Sequence, residues 1–218
     1  MGEMLTLNLI EARVLGALIE KGITTPEYYP LSLNALVNAC NQKSSRDPVM
    51  ELSEAEVRTA LFELEQMGLV RVLADARVSK FEHLAYGKLG LGRPEIALLG
   101  LLLLRGAQTA AELRTRAERM YGFDDNAAVT AALERMAARR GADDAPAPFV
   151  AQLARQPGAR ESRWTHLLSG NVENAAAAVT DALVASEARS AAGERLAALE
   201  ATVRSLEERV RALEETRG

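Results

Sequence analysis

The 218-residue chain holds one cysteine, two histidines and a single tryptophan, and each scarcity closes off some chemistry. A lone Cys40 rules out an internal disulfide. The N-terminus lacks the basic, then apolar, then small-residue pattern of a signal peptide, so a reducing cytoplasm is the expected compartment. No Gly-rich phosphate loop, His/Cys metal cluster or Gly-x-Ser-x-Gly elbow is present, which predicts a protein that is not an enzyme and uses neither metal nor cofactor. The longest apolar run, Ile96 to Leu104 with Gly100 inside it, is about half of what a bilayer-spanning helix needs and predicts a buried core helix instead. Positive charge is also short. With 26 Lys and Arg against 30 Asp and Glu, the net charge is −4, so any contact with nucleic acid has to be local.

What is present is an internal repeat. Glu11, Leu15, Gly16, Leu18, Gly22 and Thr25 recur as Glu95, Leu99, Gly100, Leu102, Gly106 and Thr109, with Lys21 matched by Arg105. Val57, Ala60, Leu61 and Leu64 are matched by Val129, Ala132, Leu133 and Met136, and the i, i+3, i+4, i+7 spacing is helical. Ser79-Lys80-Phe81-Glu82-His83-Leu84 and Ser162-Arg163-Trp164-Thr165-His166-Leu167 share the order Ser, base, aromatic, any, His, Leu, whose alternation predicts a strand. The two histidines therefore occupy equivalent strand positions and are expected to pack within their own repeats, as Cys40 is within its helix.

Asn8 with Glu11, Ser53 with Glu56, and Thr109 with Glu112 have capping-box spacing. The first repeat is predicted to hold helices over 8–21, 31–41 and 53–67 and strands over 69–73 and 78–84; the second, helices over 94–105, 109–120 and 125–139 and strands over 149–153 and 162–167. Three helices followed by a hairpin is the winged-helix order. The expected fold is mainly α with small β wings: a winged-helix domain over 1–88, another over 93–170, each long enough to bury its own core, and a linker with a coiled-coil-like helix over 171–218.

Several stretches carry a resemblance. Glu11-Ala12-Arg13-Val14-Leu15-Gly16, Thr24-Thr25-Pro26-Glu27-Tyr28-Tyr29-Pro30-Leu31-Ser32, Ala39-Cys40-Asn41-Gln42-Lys43, Asp47-Pro48-Val49-Met50, Leu102-Leu103-Leu104-Arg105-Gly106-Ala107-Gln108-Thr109 and the Ser162-to-Leu167 segment resemble the YceH-like family of uncharacterised bacterial proteins. The resemblance covers residues 5 to 168; it implies a tandem winged-helix fold and no established activity.

Charge varies along the chain. Residues 1–92 carry net −3, residues 93–170 carry 11 bases against 9 acids for net +2, and residues 171–218 carry net −3. In a winged helix the third helix usually reads the major groove. Here the first of these offers Glu54, Glu56, Glu63 and Glu65 with only Arg58, and the second opens with Asp124 and Asp125. The phosphate-binding candidates are instead Arg114, Arg116 and Arg119 on the second helix of the second domain and Arg155, Arg160 and Arg163 in its wing, with a thinner cluster at Lys43 and Arg46. The bland alternative pairs these arginines with nearby Glu112, Glu118 and Glu161. The expected role is weak, phosphate-directed association with DNA; the competing one is an adaptor that binds a protein partner, as in the chromosome-condensation accessory proteins to which the architecture is similar.

In the tail, Leu196, Leu199, Val203, Leu206, Val210 and Leu213 alternate steps of three and four. This heptad seam, with β-branched residues at two of three a positions and leucine at d, predicts a parallel homodimer; the alternative is an amphipathic helix folded back on its own chain.

Overall fold

The computed structural model describes residues 5–74, 78–139, 148–156 and 158–170. It is mostly helical with two small antiparallel sheets. In chain order the elements are α1 (Leu9–Thr24), β1 (Leu31–Ser32), α2 (Leu33–Cys40), α3 (Glu54–Gln66), β2 (Val70–Leu73), β3 (Lys80–His83), α4 (Ala85–Leu89), α5 (Arg93–Arg105), α6 (Ala110–Ala117), α7 (Asn126–Ala137), β4 (Val150–Gln152) and β5 (Trp164–His166). None of these helices is long and apolar enough to cross a membrane.

The helix starts follow from their caps. Asn8 Oδ1 accepts hydrogen bonds from the Ile10 and Glu11 amides at 2.9 Å, and the Glu11 carboxylate accepts the Asn8 amide at 2.8 Å. Ser53 with Glu56 and Thr109 with Glu112 repeat this reciprocal arrangement. Each cap satisfies amides that the first helical turn leaves unpaired and is worth about 1 kcal/mol.

The first sheet has the strand order β1-β3-β2, with Leu31 opposite Phe81 and Val72 also opposite Phe81 on the other side. β1 was not expected from the sequence, because two residues wedged between Pro30 and a helix cap are too short to show alternation. The second sheet pairs β4 with β5, Gln152 opposite Trp164. Its counterpart of β1 shrinks to one bridge, in which Gln108 and Trp164 exchange amide-to-carbonyl bonds at 2.9 and 2.7 Å. Phe81 and Trp164, equivalent in the repeat, are both buried at these junctions.

Among the described residues, both repeats join one continuous hydrophobic core. The two repeats thus meet through a shared apolar contact between α1 and α5. The physical reason lies in two repeat-equivalent glycines. A Cβ on Gly16 would stand 2.9 Å from Leu104 Cγ, and one on Gly100 would stand 2.8 Å from Ile19 Cγ2. Bare backbone at both positions lets α1 and α5 approach closely, and their apolar faces leave water together. The Asp47 amide also donates to the Leu104 carbonyl at 2.9 Å, joining the loop before α3 to the end of α5.

Candidate functional site

The arginines of the second repeat divide into committed and uncommitted sets. On the committed side, Arg163 Nη1 donates to the Ala107 carbonyl at 2.8 Å and to Glu112 Oε2 at 2.9 Å, while Nη2 reaches Glu112 Oε1 at 3.3 Å. Arg163 thus ties the β4–β5 pair to α6. Arg116 Nη1 donates to Gln108 Oε1 at 2.6 Å, and Nη2 lies 3.8 Å from Glu112. Burial works to raise the Glu112 carboxyl pKa, but the Thr109 amide and the two arginines outweigh it and hold it below the ordinary value. Arg114, Arg119, Arg155 and Arg160 are exposed and make no hydrogen bond or ion pair among the described residues.

Arg46, predicted to face phosphate, is internal. Its side chain is fully shielded, and its guanidinium donates to the Ala39 and Ser45 carbonyls and to both oxygens of Glu20, at 2.6 Å to Oε2. The partner lies 26 residues earlier, so charge spacing along the chain could not reveal it. Burial would raise the Glu20 pKa, yet the hydrogen bonds and charge of Arg46 hold it down. Arg13 is a second buried cation, donating to the Cys40 and Pro48 carbonyls at 3.2 and 2.6 Å, with its pKa lowered by burial and by Arg46.

Lys43 remains exposed, and it is drawn into company that the sequence kept apart. An open cleft of about 510 Å³ lies where the last turns of α1 and α5, the loop after α2, and α6 converge. Lys21, Lys43, Arg105, Arg116 and Arg119 all line it, and Glu20 is the one carboxylate in its lining. Lys21 and Arg105 were not among the predicted binding residues. Their equivalence in the repeat was the available signal.

The histidines pack as strand residues. The His83 ring lies 5.4 Å from the Tyr86 ring and 6.1 Å from Tyr29, whose hydroxyl accepts the His83 amide at 2.6 Å. Burial lowers both His83 and His166 to about 4, and the Nδ1 atom of each is buried without a hydrogen-bond partner. Cys40 is buried, and desolvation pushes its thiol up to about 12, so it is a poor nucleophile. The predicted seam over 196–213 lies outside the described residues.

Residues 7–159 match the family described as "Protein of unknown function, DUF480". The chain belongs to the DUF480 family. A UPF0502 protein of Acidovorax sp. (strain JS42) is 49% identical over 196 residues, covering 89% of this chain and 86% of that one. A UPF0502 protein of Pelobacter propionicus is 55% identical over 168 residues, covering 77% and 74%, and one of Burkholderia orbicola (strain MC0-3) is 51% identical over 176 residues, covering 81% and 72%. The matched segment contains the resembling motifs up to the second wing, and the DUF480 description assigns no activity.

Proposed function

We propose that this DUF480 protein is a tandem winged-helix, non-enzymatic regulator that associates with DNA through phosphate contacts made by its second repeat. Its order of helices and hairpins, given twice, supports the winged-helix reading. The observation that carries the DNA reading is the uncommitted arginine set, Arg114 on α6 and Arg119 in the turn after it, with Arg155 and Arg160 in the wing that Arg163 ties to α6. Arginine forks suit bidentate phosphate contact, whereas reading of bases would need a polar, cationic third helix. α3 and α7 do not offer one: α3 exposes Glu54, Glu56, Glu63 and Glu65, and Arg135 of α7 is paired with Glu95.

Binding is therefore expected to be weak, indifferent to sequence and steep in salt, with a slope of log K against log salt of about −3 if three or four phosphates are neutralised. Fluorescence anisotropy with duplex DNA should show the triple variant Arg114→Glu, Arg155→Glu, Arg160→Glu losing binding while its circular dichroism and melting stay unchanged. Undiminished binding in that variant would sink the proposal. The adaptor reading has one observation of its own, Phe62, which is 58% exposed on the acidic face of α3. A pull-down that enriches one protein with the parent chain but not with Phe62→Ala, in the absence of DNA binding, would favour it.

A further inference from the structure

The cleft between the repeats has a charge balance that the fold does not explain. Five cations, Lys21, Lys43, Arg105, Arg116 and Arg119, share its lining with Glu20 as the one carboxylate; Arg116 also reaches Glu112 outside the lining at 3.8 Å and Lys21 lies 3.5 Å from Glu20, which leaves Lys43, Arg105 and Arg119 without an ion pair among the described residues. Glu20 is already bonded through both oxygens to buried Arg46. The ends of α1, α5 and α6 supply about half a negative charge apiece, short of what the three unpaired cations need. The crowding is visible at Arg105: burial lowers its pKa, Arg116 and Arg46 lower it further, and only the carboxylates of Glu20 and Asp47 act the other way. Its Nε is also shielded and has no hydrogen-bond partner. Like charges held this close raise the energy of the empty cleft, and a multivalent anion relieves it.

The walls narrow the class of anion. Ser45 lines the cleft with φ at +63°, a left-handed conformation that costs a non-glycine residue about 1 kcal/mol or more and that clusters at binding sites. Arg105, Arg116 and Arg119 bring guanidinium forks suited to phosphate oxygens. Leu101 and Met120 supply an apolar patch beside them, and a volume of about 510 Å³ lies within the range of small-molecule sites. We infer that the inter-repeat cleft binds a phosphate-bearing small molecule of nucleotide size, with its phosphates on the arginines and its less polar part against Leu101 and Met120. The inference shares Arg119 with the DNA reading but not Arg114, Arg155 or Arg160, which do not line the cleft.

Isothermal titration calorimetry of the full chain at low salt, with ATP, inorganic tripolyphosphate and adenosine as probes, tests it. ATP and tripolyphosphate should bind saturably and adenosine should not. Arg105→Gln and Lys43→Gln should each weaken ATP binding about tenfold or more, the effect of losing one charged hydrogen bond. Lys43 is an exposed loop residue, so its variant tests the site even if Arg105→Gln perturbs folding. The variant Arg155→Glu, Arg160→Glu should bind ATP as the parent does, whatever becomes of its DNA affinity. Absence of saturable binding by both polyphosphates, or equal affinity in Arg105→Gln and Lys43→Gln, overturns the inference. So does a result in which the cleft variants weaken duplex DNA while neither polyphosphate binds, because the cleft is then part of a nucleic-acid surface.

Discussion

At the scale of single residues, the buried ionisable groups make the most definite demands. His83 and His166 are neutral in the fold down to about pH 4 but titrate near 6.5 once unfolded. As pH falls from 6.5 towards 4, protons bind the unfolded chain and not the folded one, so stability is lost across that window. Glu20, whose pKa is lowered from 4.5, gives up its contribution only below that value, which leaves pH 6.5 to 4.5 to the histidines. The double variant His83→Phe, His166→Phe should flatten the decline in melting temperature over this interval, a loss of roughly 1–3 kcal/mol in the parent. A parent melting curve independent of pH between 6.5 and 4.5 would contradict the burial argument. Arg46 makes a different demand. Glu20→Ala leaves a shielded guanidinium without its counter-charge and should cost about 3–5 kcal/mol by urea unfolding. That outcome would mark Arg46 as an internal tie between α1 and the loop after α2.

At the scale of elements, the crossing of α1 and α5 is set by the two glycines. Gly16→Ala and Gly100→Ala each force a methyl against a packed leucine or isoleucine and should destabilise by about 1–3 kcal/mol, although alanine is the better helix former. Increased stability in either variant would show that the helices can separate without loss. The same elements mark what the sequence could express. Asn8, Ser53 and Thr109 announced their helices because a cap is a contact between residues three apart, and the six-residue pattern around His83 and His166 announced the hairpins. α4 escaped because five residues containing Gly87 carry little periodicity. The cleft escaped for a deeper reason. Its cations come from α1, the loop after α2, α5 and α6, and only the packing of α1 on α5 makes them neighbours. Arg46 was read as free for the mirror-image reason, since its carboxylate lies 26 residues away, whereas Arg163 takes Glu112, a partner that the alternative reading named.

At the scale of the whole molecule, the expected dimer seam at Leu196, Leu199, Val203, Leu206, Val210 and Leu213 can be tested without further structure. Light scattering on the full chain and on a chain ending at Gly170 should give a dimer and a monomer; equal masses would relieve the tail of any role in assembly. The body itself carries a different kind of twofold relation. Gly16 meets Leu103 and Leu104, while Gly100 meets Ile19, the residue equivalent to Leu103. Equivalent residues meeting one another is the mark of an isologous contact between identical subunits. The contact has the form that two identical half-chains would make with each other, here carried within one chain. Covalent joining holds the two halves together at a concentration that dilution cannot lower, and it frees each half to diverge. One half has a three-stranded sheet and an acidic surface helix, and the other has a single bridge in place of the first strand and more arginines. A chain of residues 1–92 alone would expose the face of α1 around Gly16, and it should self-associate through that face in sedimentation experiments.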